Sequence, residues 1–247
     1  MQAVESPSVR VGRYAGGLRM PAHADGHSRL SVVLAGGLRE RAGRVEVDAG
    51  VGFVAIKPGP VVHENVFGPT GACVVSILIP DGLAADAEGS VLDQWRWIRP
   101  GPLSLRALRL ALSTRRDAVS AENALAEWLA EAAEPEPRHR RGAPPAWLRR
   151  VREALDAAAV TSVRALAEAE GLHPVYVARV FRQYLRCTPS EYLQSRRLLR
   201  ALEGMAAGVS DLAALALAAG FADQSHFSRD CRRLLGLPPG ALRTRLV

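Results

Sequence analysis

Apolar residues change their spacing along this chain of 247 residues. Between Arg10 and Pro80 they come in short runs cut by Gly and Pro: LSVVLAGG, VEVDAGVGFVAI and CVVSILIP. These runs are rich in β-branched residues, and turn signals recur at about the 8–12-residue spacing of all-β domains. They predict antiparallel strands closed into a sandwich or small barrel. From Leu103 the interval lengthens to three or four residues. LSLRALRLALSTRR and SAENALAEWLAEAA read as amphipathic helices with stripes at Leu105, Leu108 and Leu112 and at Leu125 and Leu129. Ser120, with Glu122 and Asn123 behind it, is read as the start of the second helix. Residues 135–145, PEPRHRRGAPP, are proline-rich, charged and aperiodic, which marks a linker. Everything after them reads as helix, over residues 147–158, 163–170, 174–185, 189–205, 211–219, 224–235 and 239–245. Thr188 and Glu191 form a capping-box pair, and Asp223 is the N-cap of the sixth segment.

Two of these helix pairs repeat one design. LAEAEGLHPVYVARVFRQYL (residues 166–185) and LAALALAAGFADQSHFSRDCRRLLG (residues 212–236) each hold a short apolar helix, a glycine turn and a second helix with Arg on its outer face. A helix presented in this way fits the DNA major groove. In the second unit Phe227 and Leu234 face inward, and Gln224, Ser225, Ser228 and Arg229 face outward near the helix start. Gln pairs bidentately with adenine and Arg with guanine, while Arg232 and Arg233 suit phosphates. In the first unit Val177, Val180 and Phe181 form the inner stripe. Val175, Ala178, Arg179 and Arg182 lie outside. Among these Arg179 is the hydrogen-bonding base reader, Val175 and Ala178 suit a thymine methyl, and Arg182 a phosphate. The alternative, a pair of helical hairpins with solvated arginines, loses ground to the charge distribution. Residues 146–247 carry 15 Arg, no Lys and 9 acidic residues, a net +6 of the chain's +7.

Residues 147–247 resemble the DNA-binding domain of the AraC/XylS family of bacterial transcription regulators. The resemblance lies in both units, in TPSEYLQSRRLLRAL between them, and in GFADQSHFSR followed by LGLPP. It implies an all-α domain of seven helices, with two recognition helices in successive major-groove segments of double-stranded DNA about one turn (~34 Å) apart. By position it assigns base contact to Val175, Ala178 and Arg179 and to Gln224, Ser225, Ser228 and Arg229, and it adds Arg196 as a basic position of the connecting helix. It also implies an activator working with RNA polymerase, and a homodimer contact through one of the helices 103–116 and 120–133. Packing of those helices on their own β-domain is the equal alternative. The chain departs from the family at His173, Arg186, Cys231 and Leu242, where the family usually has Ser or Thr, Gly, a large aromatic, and Tyr or Phe.

The β-rich half resembles a cupin over residues 10–80. Gly52, Pro58, Pro60 and His63 in VGFVAIKPGPVVHENVFGPTGA follow the spacing of one cupin segment, and MPAHADGHSRLSVVLAGGLRE resembles the other weakly. His23, Asp25 and His27 stand at two-residue intervals, so one strand face is expected to carry them. His23, His27, Glu40 and His63 are the candidate effector or metal ligands, a donor set that suits a divalent metal such as Zn, Fe, Ni or Mn. The alternative is an ancestral pocket that holds a small-molecule effector without metal. Trp95, Trp97 and Trp128 are read as core residues.

The fold class expected is therefore α+β in two domains. Residues 1–134 form a cupin-like sensing or dimerisation domain with two helices, residues 135–145 the linker, and residues 146–247 the DNA-binding domain. Three scattered cysteines make no disulfide framework. No apolar run approaches the ~18 residues of a membrane span, and the N-terminus lacks the apolar core of a secretory signal, so a cytoplasmic protein is expected. The function read here is an effector-responsive DNA-binding regulator and not an enzyme. A cupin isomerase or dioxygenase with a DNA-binding appendage, and a metal or redox sensor acting through the same domain (with Cys187 and Cys231 as its thiols), are the alternatives.

Overall fold

The computed structural model describes residues 3–86, 91–113, 118–133, 143–157 and 162–246. Most of the stretch read as a linker lies outside these residues. The apolar runs of the first half form seven strands: β1 (Ser8–Tyr14), β2 (Arg19–Ala24), β3 (Arg29–Ala42), β4 (Val45–Ala49), β5 (Val54–Lys57), β6 (Val62–Leu78) and β7 (Arg96–Ile98). β3 and β6 are long and pair antiparallel along most of their length, with register shifts between Val33 and Ala35 and between Gly36 and Leu38. Bulges bend a strand and raise its twist. They divide the sheet into two ends. At one end the order is β1-β6-β3-β5-β7, and at the other β2 joins β6 and β4 joins β3. Leu30, Val32, Leu34, Val54, Ile56, Val75 and Ile77 alternate inward and are fully buried or nearly so.

Helix α1 (Asp81–Asp86) follows the sheet, and α2 (Pro102–Ser113) and α3 (Ala118–Ala133) follow β7. Ser120, read as the start of this helix, lies inside the first turn of α3, two residues after Ala118. The stripes Leu105, Leu108, Leu112 and Leu125, Leu129 are buried within this chain. Trp128 is buried with them and donates from Nε1 to the Leu103 carbonyl at 3.1 Å. The stripes are therefore buried by packing within this chain, the second of the two readings given for them.

The C-terminal segments form seven helices among the described residues: α4 (Ala146–Asp156), α5 (Val163–Ala169), α6 (Pro174–Leu185), α7 (Pro189–Ala206), α8 (Leu212–Ala218), α9 (Gln224–Leu235) and α10 (Pro239–Leu246). Their ends follow local chemistry. The Thr188 hydroxyl accepts from the Glu191 N–H at 3.1 Å, and the Glu191 carboxylate accepts from the Thr188 N–H at 2.7 Å. That bond, ahead of any Coulomb contribution, holds Glu191 below the ordinary glutamate pKa.

The two halves of the chain share a core. α7 lies against β3, and α2 packs on α7 and α9. Leu198, Leu199 and Leu202 of α7 and Phe221, Phe227, Cys231 and Leu235 around α9 belong to the same buried cluster as the sheet and α2. The turn before β5 is pressed on α7. Gly52 has φ +84, and a Cβ there would lie 2.6 Å from Leu199 Cδ1 and 3.0 Å from Pro100 Cβ. Ser104 Oγ donates to the Gly52 carbonyl at 2.5 Å from the start of α2.

Candidate nucleic-acid interface and the barrel interior

In the second unit, α8 is capped by Asp211, whose carboxylate accepts from the N–H groups of Ala213 and Ala214. The chain leaves α8 at Gly220 with φ +91, a conformation that costs glycine nothing. Phe221 is buried behind the turn, and Asp223 caps α9 by accepting from His226 N–H at 2.7 Å. Phe227, Asp230, Cys231 and Leu235 point inward, whereas Gln224, Ser225, Arg229, Arg232 and Arg233 are exposed and Ser228 is half-buried. The inner face includes one polar group. Asp230 is 6% exposed and accepts from Gln194 Nε2 of α7 at 2.7 Å and from Arg233 Nη2 at 2.9 Å. This pair ties the recognition helix to the connecting helix. It also holds Arg233 back, leaving Arg232 and Arg229 as the cations of the outer face not tied to Asp230.

The first unit has the same plan with different parts. His173 replaces the usual hydroxyl cap, and its Nδ1 accepts from the Val175 N–H at 3.3 Å. Pro174 begins α6, where a missing N–H costs nothing. Arg186 takes the left-handed C-cap, φ +55, that the family usually gives to Gly. Val177, Val180 and Phe181 are buried, while Val175, Arg179 and Arg182 are exposed and Ala178 is half-buried. Val175 is 69% exposed, the most exposed large apolar residue among the described residues. The Arg179 guanidinium lies 5.2 Å from the Tyr176 ring centroid, and Tyr176 in turn touches Trp147. Outward and inward positions follow the helical spacing with one exception: Leu234, expected inward, is only half-buried, and Asp230, Cys231 and Leu235 fill the inner face of α9 with Phe227.

Arg196 falls elsewhere. It is largely buried, ion-paired to Asp156 of α4 at 2.9 Å, and donates from Nη1 to the Val51 carbonyl of the β-domain at 3.3 Å. Arg196 thus belongs to the contact between the two halves and not to the DNA-facing group. It lines a cavity of about 320 Å3, together with Phe53 and Arg99 of the β-domain and Arg152, Asp156, Tyr192 and Glu203 of α4 and α7. Tyr192 donates its hydroxyl to Asp156 at 2.8 Å. Burial, then the Asp156 carboxylate, pushes its pKa up.

The β-domain brings polar residues of β2, β3, β5 and β6 together. His23 of β2 and His63 of β6 are register partners, their ring centroids 4.3 Å apart. With Asp25 they bring three ligand atoms within 4.8 Å of one another. His27 is not among them. β2 ends at Ala24 after a register shift, so His27 leaves the strand face and pairs with Asp81 at 3.4 Å. Glu40 is buried, but its carboxylate is taken by the Lys57 ammonium and by the Trp95 indole N–H at 2.8 Å. The expected set of His23, His27, Glu40 and His63 is therefore corrected: His23, Asp25 and His63 converge, and Lys57, absent from the sequence reading, stands among them. The one clue to Lys57 was its place as the chain's single lysine at the end of the apolar strand VAIK. Trp95 and Trp97 line this site as well, with the Lys57 ammonium 4.8 and 5.7 Å from their centroids.

Comparison with known proteins bears on the helical half. A family model described as a helix-turn-helix domain matches residues 166–245. The HTH-type transcriptional regulator GbdR of Pseudomonas aeruginosa is 36% identical over 61 residues, which are 25% of this chain and 17% of that regulator's length. The chain thus spans about a sixth of the curated relative it matches. Among solved structures, ToxT from Vibrio cholerae covers 98% of this chain and is covered over 98% of its own, at 10% identity and a TM-score of 0.41. The AraC-like transcriptional activator CuxR aligns over 78% of this chain and 77% of its own, at 15% identity and the same TM-score of 0.41.

Proposed function

We propose that the chain is a sequence-specific regulator of transcription of the AraC type, a reading supported by the helix-turn-helix match over residues 166–245, in which α6 and α9 enter successive major-groove segments of double-stranded DNA. One observation carries this reading. Each recognition helix has its N-terminus capped, its apolar face buried and its polar or arginine-bearing face open to solvent. Gln224, Ser225, Ser228 and Arg229 read base edges in the second segment. Arg179 does so in the first, with Val175 and Ala178 against thymine methyls. Arg182 and Arg232 meet phosphates, which set register without specifying sequence.

The β-domain half receives a small-molecule effector, and the cavity between Phe53, Arg99 and α7 supports that role because a ligand there touches both halves at once. Binding energy that differs between two arrangements of the halves is what a ligand-driven switch requires. Homodimerisation and contact with RNA polymerase, as an activator, complete the proposal, and a DNA partner assigns the work to the cytoplasm. Among the described residues no helix is long and apolar enough to cross a membrane. We take the protein as a binding protein and not an enzyme, since the barrel's acidic and basic groups pair with one another. Nor do the thiols favour redox sensing. Burial pushes Cys187 and Cys231 up to about 12, and the thiolate is the reactive form.

Selection of bound sites from a random DNA library by the full chain, at fixed near-physiological salt, tests the proposal. The expected product is a motif with two contacted segments one helical turn apart. Salt-sensitive binding with no enriched sequence, both with and without a cell extract of small molecules, would refute it.

A further inference from the structure

The cupin resemblance implies a metal, and the donors in the barrel decide whether one fits. In favour is the orientation of the two imidazoles. His23 Nδ1 lies 2.8 Å from the Pro21 carbonyl and His63 Nδ1 3.1 Å from the Val61 carbonyl. Carbonyls at Nδ1 fix the tautomer that leaves the Nε2 lone pair free, the usual support for a ligating histidine. The carboxylates argue the other way. Asp25 is ion-paired with Arg29 and faces His63 Nε2 at 3.6 Å. Glu40, with a fully buried side chain, has one oxygen on the Lys57 ammonium and the other on the Trp95 indole N–H. Two cations and two anions thus already balance inside the barrel, and a divalent ion would add an uncompensated charge in a buried place, which is strongly unfavourable.

We propose that the Lys57 ammonium takes the place of a metal ion in this barrel, as a cation built into the chain. Its side chain is 10% exposed, it is bonded to Glu40, and it is packed over Trp95, whose ring also contacts His63 at 4.6 Å. A strand end supplies the geometry: Lys57 closes β5 and pairs in register with Arg29 of β3, so both cations enter the barrel side by side. Burial pulls the Lys57 pKa down, and Glu40, then Asp25, pull it back. His63 titrates below the ordinary histidine range, chiefly through burial. The site is then metal-free by construction, and neither the oxygenase chemistry nor the metal sensing that a cupin resemblance suggests has a place to occur. This inference does not depend on the DNA-binding reading.

The test is equilibrium dialysis of the full chain against Zn2+ and Co2+, with metal analysis and cobalt absorption as readouts. The unmodified chain is expected to retain no equivalent at this site, while Lys57→Ala, which frees Glu40 beside the two histidines, is expected to bind one equivalent at least tenfold more tightly. One equivalent held by the unmodified chain and lost in His63→Ala would overturn the proposal, and so would a folded Lys57→Ala that gains nothing. If Lys57→Ala does not fold, the unmodified chain still decides. With one lysine in the sequence, 15Nζ-lysine labelling gives a single side-chain resonance, expected to stay put on adding Zn2+. A shift saturating at one equivalent would place a metal there and defeat the idea.

Discussion

The two helix-turn-helix units are alike in sequence and unlike in their surroundings. The first unit has a core of its own, with Leu148, Val151, Leu155, Leu166, Val177, Val180 and Phe181 closed off by Tyr192 and Leu193 at the start of α7. The second has none. Leu215, Phe221, Phe227, Cys231, Leu235, Leu242 and Leu246 continue into the cluster that holds the sheet and α2. α9 packs on α2, and Arg245 of α10 donates to the Leu112 carbonyl at the end of α2 at 2.9 Å. The difference teaches that a linker in the sequence need not be a boundary in the packing. The chain divides for packing purposes within α7, whose first turns belong to one core and whose later turns belong to the other. Under the proposed function, an effector seated between the halves would meet one recognition helix fixed to the β-domain and another attached through α7, Arg196 and Asp156, and would act on the angle between them.

Core truncations are expected to separate the two units most. Phe181 and Phe227 are both fully buried, and replacing either by Ala should cost about 3–5 kcal/mol. The costs should fall in different places. By residue-resolved hydrogen exchange, Phe227→Ala should lower protection in α9 and in α2 and β3 together, and Phe181→Ala in α4 to α6 alone. Equal effects on both units with the sheet untouched would mean that the helical half is one independent domain. A smaller effect is expected at the joint. Gly52→Ala forces a Cβ against Leu199 at a left-handed backbone position, a strain of about 1–3 kcal/mol, and should loosen α7 from the sheet before it affects α4 to α6. Exchange that rises first in α4 to α6 would contradict the joint. The smallest effect lies at the start of α7, the part that belongs to the first unit's core. Thr188→Ala should cost about 1 kcal/mol, read as a lower midpoint of denaturant unfolding. Glu191 adds a pH dependence of known sign. Its pKa is depressed in the folded chain by the Thr188 N–H, so its contribution is complete above the ordinary glutamate pKa and fades as pH falls through the depressed value. Unfolding midpoints of the unmodified chain and Glu191→Gln should therefore converge in acid, and a gap that widens there would contradict it.

How far the sequence carried this account varied with how local each signal was. The capping box at Thr188 and Glu191, the cap at Asp223 and the inward stripe of α6 depend on residues three or four apart, and these were legible. The αL position of Arg186 showed as a departure from the family and turned out to be adopted without glycine. What covers a stripe was not legible. Leu105, Leu108 and Leu112 announced a buried face, but only the folded chain puts the second reading unit against it. Nor was strand register: a shift between Met20 and His23 ends β2 early enough to turn His27 away, and the pairing of β3 with β5 and β6 brings Lys57 to Glu40 across 17 positions of sequence. Arg196 misled for the same reason, since a basic residue on a connecting helix looks the same whether it faces phosphate or a carbonyl of the neighbouring domain.

The central claim is that the outer face of α9 reads base edges, and binding of Arg229→Ala to a selected duplex tests it most directly. Measured at fixed salt against a scrambled duplex, the variant should lose about 1–3 kcal/mol of specific affinity and relax its preference at one base position while nonspecific binding changes little. Unchanged affinity together with unchanged preference would contradict it.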